Sequence, residues 1–157
     1  MINDSFLESC HQLRRKCYRV MYLWNDDDAC IENLVAHCKE ISTQADELLT
    51  IEPQSADEEA ELCWTLLLCY NVIVRDDEQV NNVLNRGYRV LSQPLPKHLR
   101  CQLLTYMYGE NHDHRLLLEV RQLSATWEKN DLQEEDNLMF SALTAMENEA
   151  KRYEIAS

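Results

Sequence analysis

Residues 55–74 read SADEEAELCWTLLLCYNVIV, and this stretch decides the fold. Ser55 stands three residues before Glu58, the capping-box spacing that satisfies free N–H groups at a helix start. Asp57, Glu58, Glu59 and Glu61 load the first turns with negative charge, where the helix dipole favours it. From Leu62 to Val74 the only polar side chains are Thr65 and Asn71. A helix apolar on nearly every side must be surrounded by protein or by lipid. The run is too short for a bilayer, which needs about 20 apolar residues. It therefore predicts a central helix wrapped by others.

The flanking sequence supplies the wrapping. Phe6, Cys10, Leu13, Cys17, Val20, Met21 and Trp24 recur at three- and four-residue steps and predict a first helix. Asn25 to Asp28 form a turn and give the next helix an acidic start. That helix carries Ile31, Leu34, Val35, Cys38, Ile41, Ala45, Leu48 and Leu49. After the central helix, Val80, Val83, Leu84, Tyr88 and Leu91 predict a fourth. Ser92 to Pro96 is a stiff linker. Leu99, Leu103, Leu104 and Met107 predict a fifth helix, with Gly109 as its left-handed C′ residue. Leu116, Leu117, Val120, Leu123 and Trp127 predict a sixth, and Leu138, Met139, Ala142, Met146 and Tyr153 a last one. Glycine is confined to Gly87 and Gly109, and no run alternates as a strand would. The expected fold is all-α, a single globular bundle of about seven helices, with residues 1–50 as an N-terminal hairpin and 55–152 as the core. No 34-residue repeat is visible.

The formal net charge of −13 disfavours phosphate-backbone binding, so no direct nucleic-acid contact is expected. Arg14, Arg15, Lys16 and Arg19 form the one basic cluster, expected as a solvated or ion-paired helix face. An acidic surface favours encounter with a basic protein partner. The seven cysteines, Cys10, Cys17, Cys30, Cys38, Cys63, Cys69 and Cys101, include no C-x-x-C pair. They read as free, mostly buried thiols of a reducing compartment. The N-terminus has no apolar signal region and no membrane span follows, so a cytoplasmic location is expected.

Local signs of chemistry are weak. Glu8 and His11 make one E-x-x-H, whereas di-metal bundles need two. Glu110, His112, Asp113 and His114 gather at a loop-to-helix boundary, where side chains two apart diverge. His37 and His98 stand alone. Ser124 and Ser141 lie mid-helix without a strained turn. Two isolated glycines exclude a P-loop or dinucleotide fingerprint. No enzymatic activity, cofactor or metal is expected. The aromatics Trp64, Tyr70, Tyr88, Tyr106, Tyr108 and Trp127 read mainly as packing, and a tyrosine left near acidic groups at the surface as a protein contact.

Asp57 to Asn71 resembles the UpxZ family of transcription antitermination antagonists. So do Val83 to Arg86 with Val90-Leu91, Leu95 to Leu99, Cys101 to Tyr106, Tyr108 to Glu110, and Ala125 to Trp127. Cys69 stands where many members carry glycine. The resemblance implies a small cytoplasmic regulator of capsular polysaccharide loci in Bacteroides-type bacteria. It implies a NusG-like antiterminator of the UpxY type as partner, with antiterminators from non-cognate loci blocked by direct binding. Exposed residues of the matched block are then the expected partner contacts: Tyr70, Asn71, Tyr108 and Glu110. A generic acidic helical adaptor or chaperone for protein segments is the alternative. More distant is a metal-dependent enzyme using Glu110, His112 and His114.

Overall fold

The computed structural model describes residues 4–24 and 31–156, and the predicted turn Asn25–Asp28 and Cys30 lie outside them. The described residues are all-α, without a strand among them. Seven α-helices are present: α1 (Asp4–Trp24), α2 (Ile31–Leu49), α3 (Ala56–Leu67), α4 (Asp77–Val90), α5 (Lys97–Asn111), α6 (His114–Ser124) and α7 (Glu134–Ala156). They form two compact units, Met1–Pro94 and Leu95–Ser157. The division falls inside the predicted proline linker. The sequence reading expected a single domain with residues 1–50 as a hairpin and 55–152 as the core, and α3 packs against both helices of that hairpin.

In the first unit α3 lies against α1, α2 and α4. Ser55 caps it, its hydroxyl accepting from the Glu58 N–H at 3.2 Å. The reciprocal arm of the capping box goes to the neighbouring Gln54 N–H, at 3.5 Å. Every residue from Leu62 to Tyr70 is buried, and Asn71, Ile73 and Val74 are half-buried. The helix does not stay α throughout. Leu68–Ile73 is a π segment. Its end is marked by the Val74 N–H donating to the Cys69 carbonyl at 2.7 Å, five residues back.

The predicted stripe of α1 is buried at Phe6, Cys10, Leu13, Cys17 and Val20. On α2 only its C-terminal half packs, through Ile41, Ala45 and Leu48, while Val35 is 50% exposed. On α4 the buried row is Val80, Val83, Gly87 and Val90. Tyr88, predicted inside, is exposed.

In the second unit α5 packs against α6 and α7. Its middle is enclosed on every side, because Cys101 to Tyr108 are all buried. The polar residues Gln102 and Thr105 are both inside. On α7 the inward row is Asp136, Met139 and Leu143 rather than one led by Leu138, which is exposed.

Gly109 is not a C′ residue. Helix α5 continues to Asn111, and His112 takes the left-handed conformation at φ 53° and ψ 30°. Gly109 serves close packing instead: a Cβ there would stand 2.6 Å from Met146 Cε. His112→Val is expected to cost about 1–2 kcal/mol, since β-branched residues resist positive φ. His112→Gly should stay within about 1 kcal/mol of the parent, because lost ring contacts offset relieved backbone strain. Urea unfolding of both variants checks the pair.

Candidate functional site

The four predicted contact residues fall two in each unit. Tyr70 sits on the π segment and is 1% exposed, so its expected place at the surface is corrected. The π turn carries its ring inward, and its hydroxyl donates to Asp46 Oδ1 at 2.7 Å. Burial first, then the Asp46 hydrogen bond and charge, push the phenol well above its ordinary range. It therefore stays a neutral donor that ties the π turn to α2. Asn71, the next residue, is half-buried and faces the rim. Its Oδ1 accepts from Arg75 Nη1 at 3.0 Å. Arg75 Nε in turn donates to Asp77 Oδ1 at 2.6 Å. Asp76 beside them caps α4 by accepting from the Gln79 N–H at 3.1 Å. This short turn thus presents an amide, a guanidinium and several carboxylates.

Tyr108 is 2% exposed, a second correction to the expected surface position. Its ring lies 5.9 Å from that of His112, and His112 lies 5.8 Å from Tyr153. Burial, then Glu147 and Glu154, raise its phenol as well. Glu110, two residues on, is half-buried near the end of α5. The two tyrosines were misplaced because a lone tyrosine in a helix reads as amphipathic. Only the tertiary surroundings show whether its hydroxyl finds water or, as Tyr70 does, a carboxylate.

A polar seam between α1 and α3 was not foreseen. Cys10, Arg14 and Cys17 fall on one stripe of α1 and meet Thr65 and Cys69. Arg14, expected from sequence on a solvated or ion-paired face, is paired but only 3% exposed. Its Nη1 donates to Glu61 Oε2 at 2.8 Å and to Thr65 Oγ1 at 2.9 Å. Its guanidinium carbon lies 3.6 Å above the centre of the Trp64 ring. Lys16, from the same cluster, pairs with Glu40 at 2.8 Å, as an ion-paired face would. On the other side of α3, Arg86 grips Glu59 with two hydrogen bonds of 2.6 and 2.9 Å. Burial raises the Cys10 thiol to about 11 and the Cys101 thiol to about 12. Both are poor nucleophiles near neutrality.

In the second unit, Asp136 is the buried acceptor. Its Oδ2 lies 2.6 Å from His98 Nδ1 and accepts from the Gln133 N–H at 2.7 Å. Its Oδ1 accepts from Gln102 Nε2 at 3.2 Å. The His98 ring stacks on Trp127 with centroids 4.2 Å apart. His98, which stood alone in the sequence, thus acquires an acid 38 residues away. The thiol nearest this pair, Cys101, is buried and held protonated by burial and the Asp136 charge. Its role is to fasten the start of α5 to the start of α7. Asp136→Ala is expected to cost about 2 kcal/mol, mostly because buried donors lose their acceptor. Asp136→Asn should cost less, and thermal unfolding of both checks the order.

Among the described residues no group of three His, Cys, Asp or Glu is placed to hold a metal ion. Glu8 Oε1 accepts from Gln12 Nε2 at 2.6 Å. His112 caps α5, while His114 opens α6. No helix among them is long and apolar enough to cross a membrane.

Two comparisons with known proteins bear on this arrangement. A family model described as the UpxZ family of transcription anti-terminator antagonists matches residues 10–109. The match starts in α1 and ends in α5, so it includes the Arg14 seam, both enclosed stretches and the π turn. A crystal structure of a transcription anti-terminator antagonist UpxZ from Bacteroides uniformis is 31% identical. It aligns over 92% of this chain and 94% of its own, with a TM-score of 0.77. No curated protein matches the chain. The chain belongs to the UpxZ family of transcription anti-terminator antagonists.

Proposed function

We propose that this chain is a cytoplasmic, stoichiometric antagonist, not an enzyme. It binds NusG-like antiterminators of the UpxY type that serve non-cognate capsular polysaccharide loci, and it needs no cofactor. Family membership over residues 10–109 is the observation that carries the reading. The chemistry of the chain is compatible with it. The net charge of −13 favours encounter with a basic protein surface and disfavours RNA as the direct ligand. Polar side chains in both units are consumed by hydrogen bonds that hold helices together, a use suited to a rigid binding body.

The contact residues are Asn71 and Glu110, the two members of the predicted set that are half-buried rather than enclosed. Tyr70 and Tyr108 act behind them by fixing the backbone from which they project. Asn71→Ala and Glu110→Ala are each expected to weaken binding about tenfold, or about 1.4 kcal/mol, as rim-of-core contacts do. Isothermal calorimetry of the full chain against purified non-cognate antiterminators tests this. Heat of binding should appear at low salt and diminish as salt screens the charge attraction. Absence of heat with every antiterminator at low salt would contradict direct binding. Binding that is insensitive to both substitutions would move the contact elsewhere.

A further inference from the structure

Two cysteines of the first unit meet although the sequence sets them far apart. Cys17 on α1 and Cys69 on the π segment are 52 residues apart in sequence, yet their Sγ atoms lie 3.6 Å apart in the core. Both side chains are closed to solvent, at 0% and 1% exposure. Cys38 on α2 is half-buried. Cys17 is close enough to push its thiol upward, after burial itself. We propose that Cys17 and Cys69 are a modification site, a thiol pair that peroxide converts to a disulfide joining α1 to the π turn.

The chemistry balances with hydrogen peroxide as oxidant. The Cys38 thiolate, the accessible member, attacks one peroxide oxygen. The O–O bond breaks, a sulfenic acid forms and hydroxide leaves, taking up a proton as water. Cys17 then attacks the Cys38 sulfur, the S–O bond breaks, and a second water leaves. Cys69 next attacks Cys17, giving the Cys17–Cys69 disulfide and returning Cys38 as a thiol. Two thiols have lost two electrons and two protons, and one peroxide has become two waters.

Geometry favours this final pairing. A disulfide needs sulfurs about 2 Å apart, so the 3.6 Å contact must close by a shift of the order of one bond length. Cys69 lies on the segment best able to supply it. The ladder there runs from Val74 N–H to Cys69 and from Asp76 N–H to Tyr70, five and six residues back rather than four. Thiolate supply sets the rate. The contact with the Cys17 thiol, then burial, hold Cys69 well above its ordinary range. The bridge should therefore form slowly at neutral pH and about tenfold faster per unit of rising pH.

The full chain, kept native, would be treated with hydrogen peroxide, alkylated, digested and mapped by mass spectrometry. The expected product has lost two hydrogens and yields linked peptides containing Cys17 and Cys69. Its Tm rises by about 5–15 °C, and dithiothreitol reverses the change. Cys38→Ala should slow the reaction about tenfold or more while leaving the same final link. Cys69→Ser should abolish it. Should that variant fail to fold, linkage in the parent chain decides the matter alone. Stable oxygen adducts without a link, a final link through Cys38, or unchanged thiols would each overturn the proposal. None of these readouts involves a protein partner, so the result stands apart from the antagonist reading.

Discussion

Leu67→Ala is expected to destabilise the protein by about 3 kcal/mol, and Leu62→Ala and Leu68→Ala by similar amounts. All three side chains are fully buried. At 100° per residue they point to well-separated sides of the helix, so each probes a different wall of the enclosure. The cost has two parts, lost transfer free energy and a cavity that rigid neighbours fill incompletely. An amphipathic helix would give a different result, with at least one of the three nearly free. Leu118→Ala is the control. Its side chain is 55% exposed, and the substitution should cost less than about 0.5 kcal/mol. Urea midpoints at constant m would report all four variants.

Arg14→Ala is the second large effect, expected at about 3 kcal/mol. Removing one member of a buried ion pair costs about 3–5 kcal/mol when the survivor stays buried. Here the surviving Glu61 side chain is 21% exposed and regains some water, which places the value at the lower end. Thr65 Oγ1 also loses a donor, and Trp64 loses the stacked guanidinium. Arg14→Met restores the volume along the Trp64 face and should recover part of the loss. Combining it with Glu61→Gln should recover more, because no uncompensated charge then remains. Strict additivity in that double-mutant cycle would contradict the coupling.

The parts of this fold that were legible in the sequence are those fixed by local chemistry. Ser55 announces the start of α3 because a cap and its charged first turn lie within four residues of each other. Leu62 to Tyr70 announces enclosure because no polar face exists to meet water. The linker at Pro94 and Pro96 was legible as a stiff break between helices for the same local reason, though not as a division between units. The π turn was not legible, since Leu68 to Ile73 carries no residue that distinguishes a five-residue ladder from a four-residue one.

Long-range pairing explains the other differences. Arg14 sits beside Arg15 and Lys16 and looks like their equal, yet its acid is Glu61, 47 positions on. Asp136 faces inward because Gln102 and His98 wait for it on another helix. Tyr70 is pulled inward by Asp46, 24 positions away, which no spacing rule within one helix contains. His112 takes the left-handed cap two residues after the glycine that looked better suited. Gly109 is held inside α5 by the closeness of Met146. Among the expected contact residues, Tyr70 and Tyr108 are enclosed where the sequence placed them at the surface.

The antagonist reading is tested most directly by single-round transcription in vitro. A template bearing a terminator that a non-cognate UpxY-type antiterminator suppresses would be transcribed while the full chain is titrated in. Read-through should fall to the level without antiterminator as the two proteins approach equal concentrations, and basal transcription should not change. Read-through that persists at saturating chain, for every non-cognate antiterminator tried, would contradict the account.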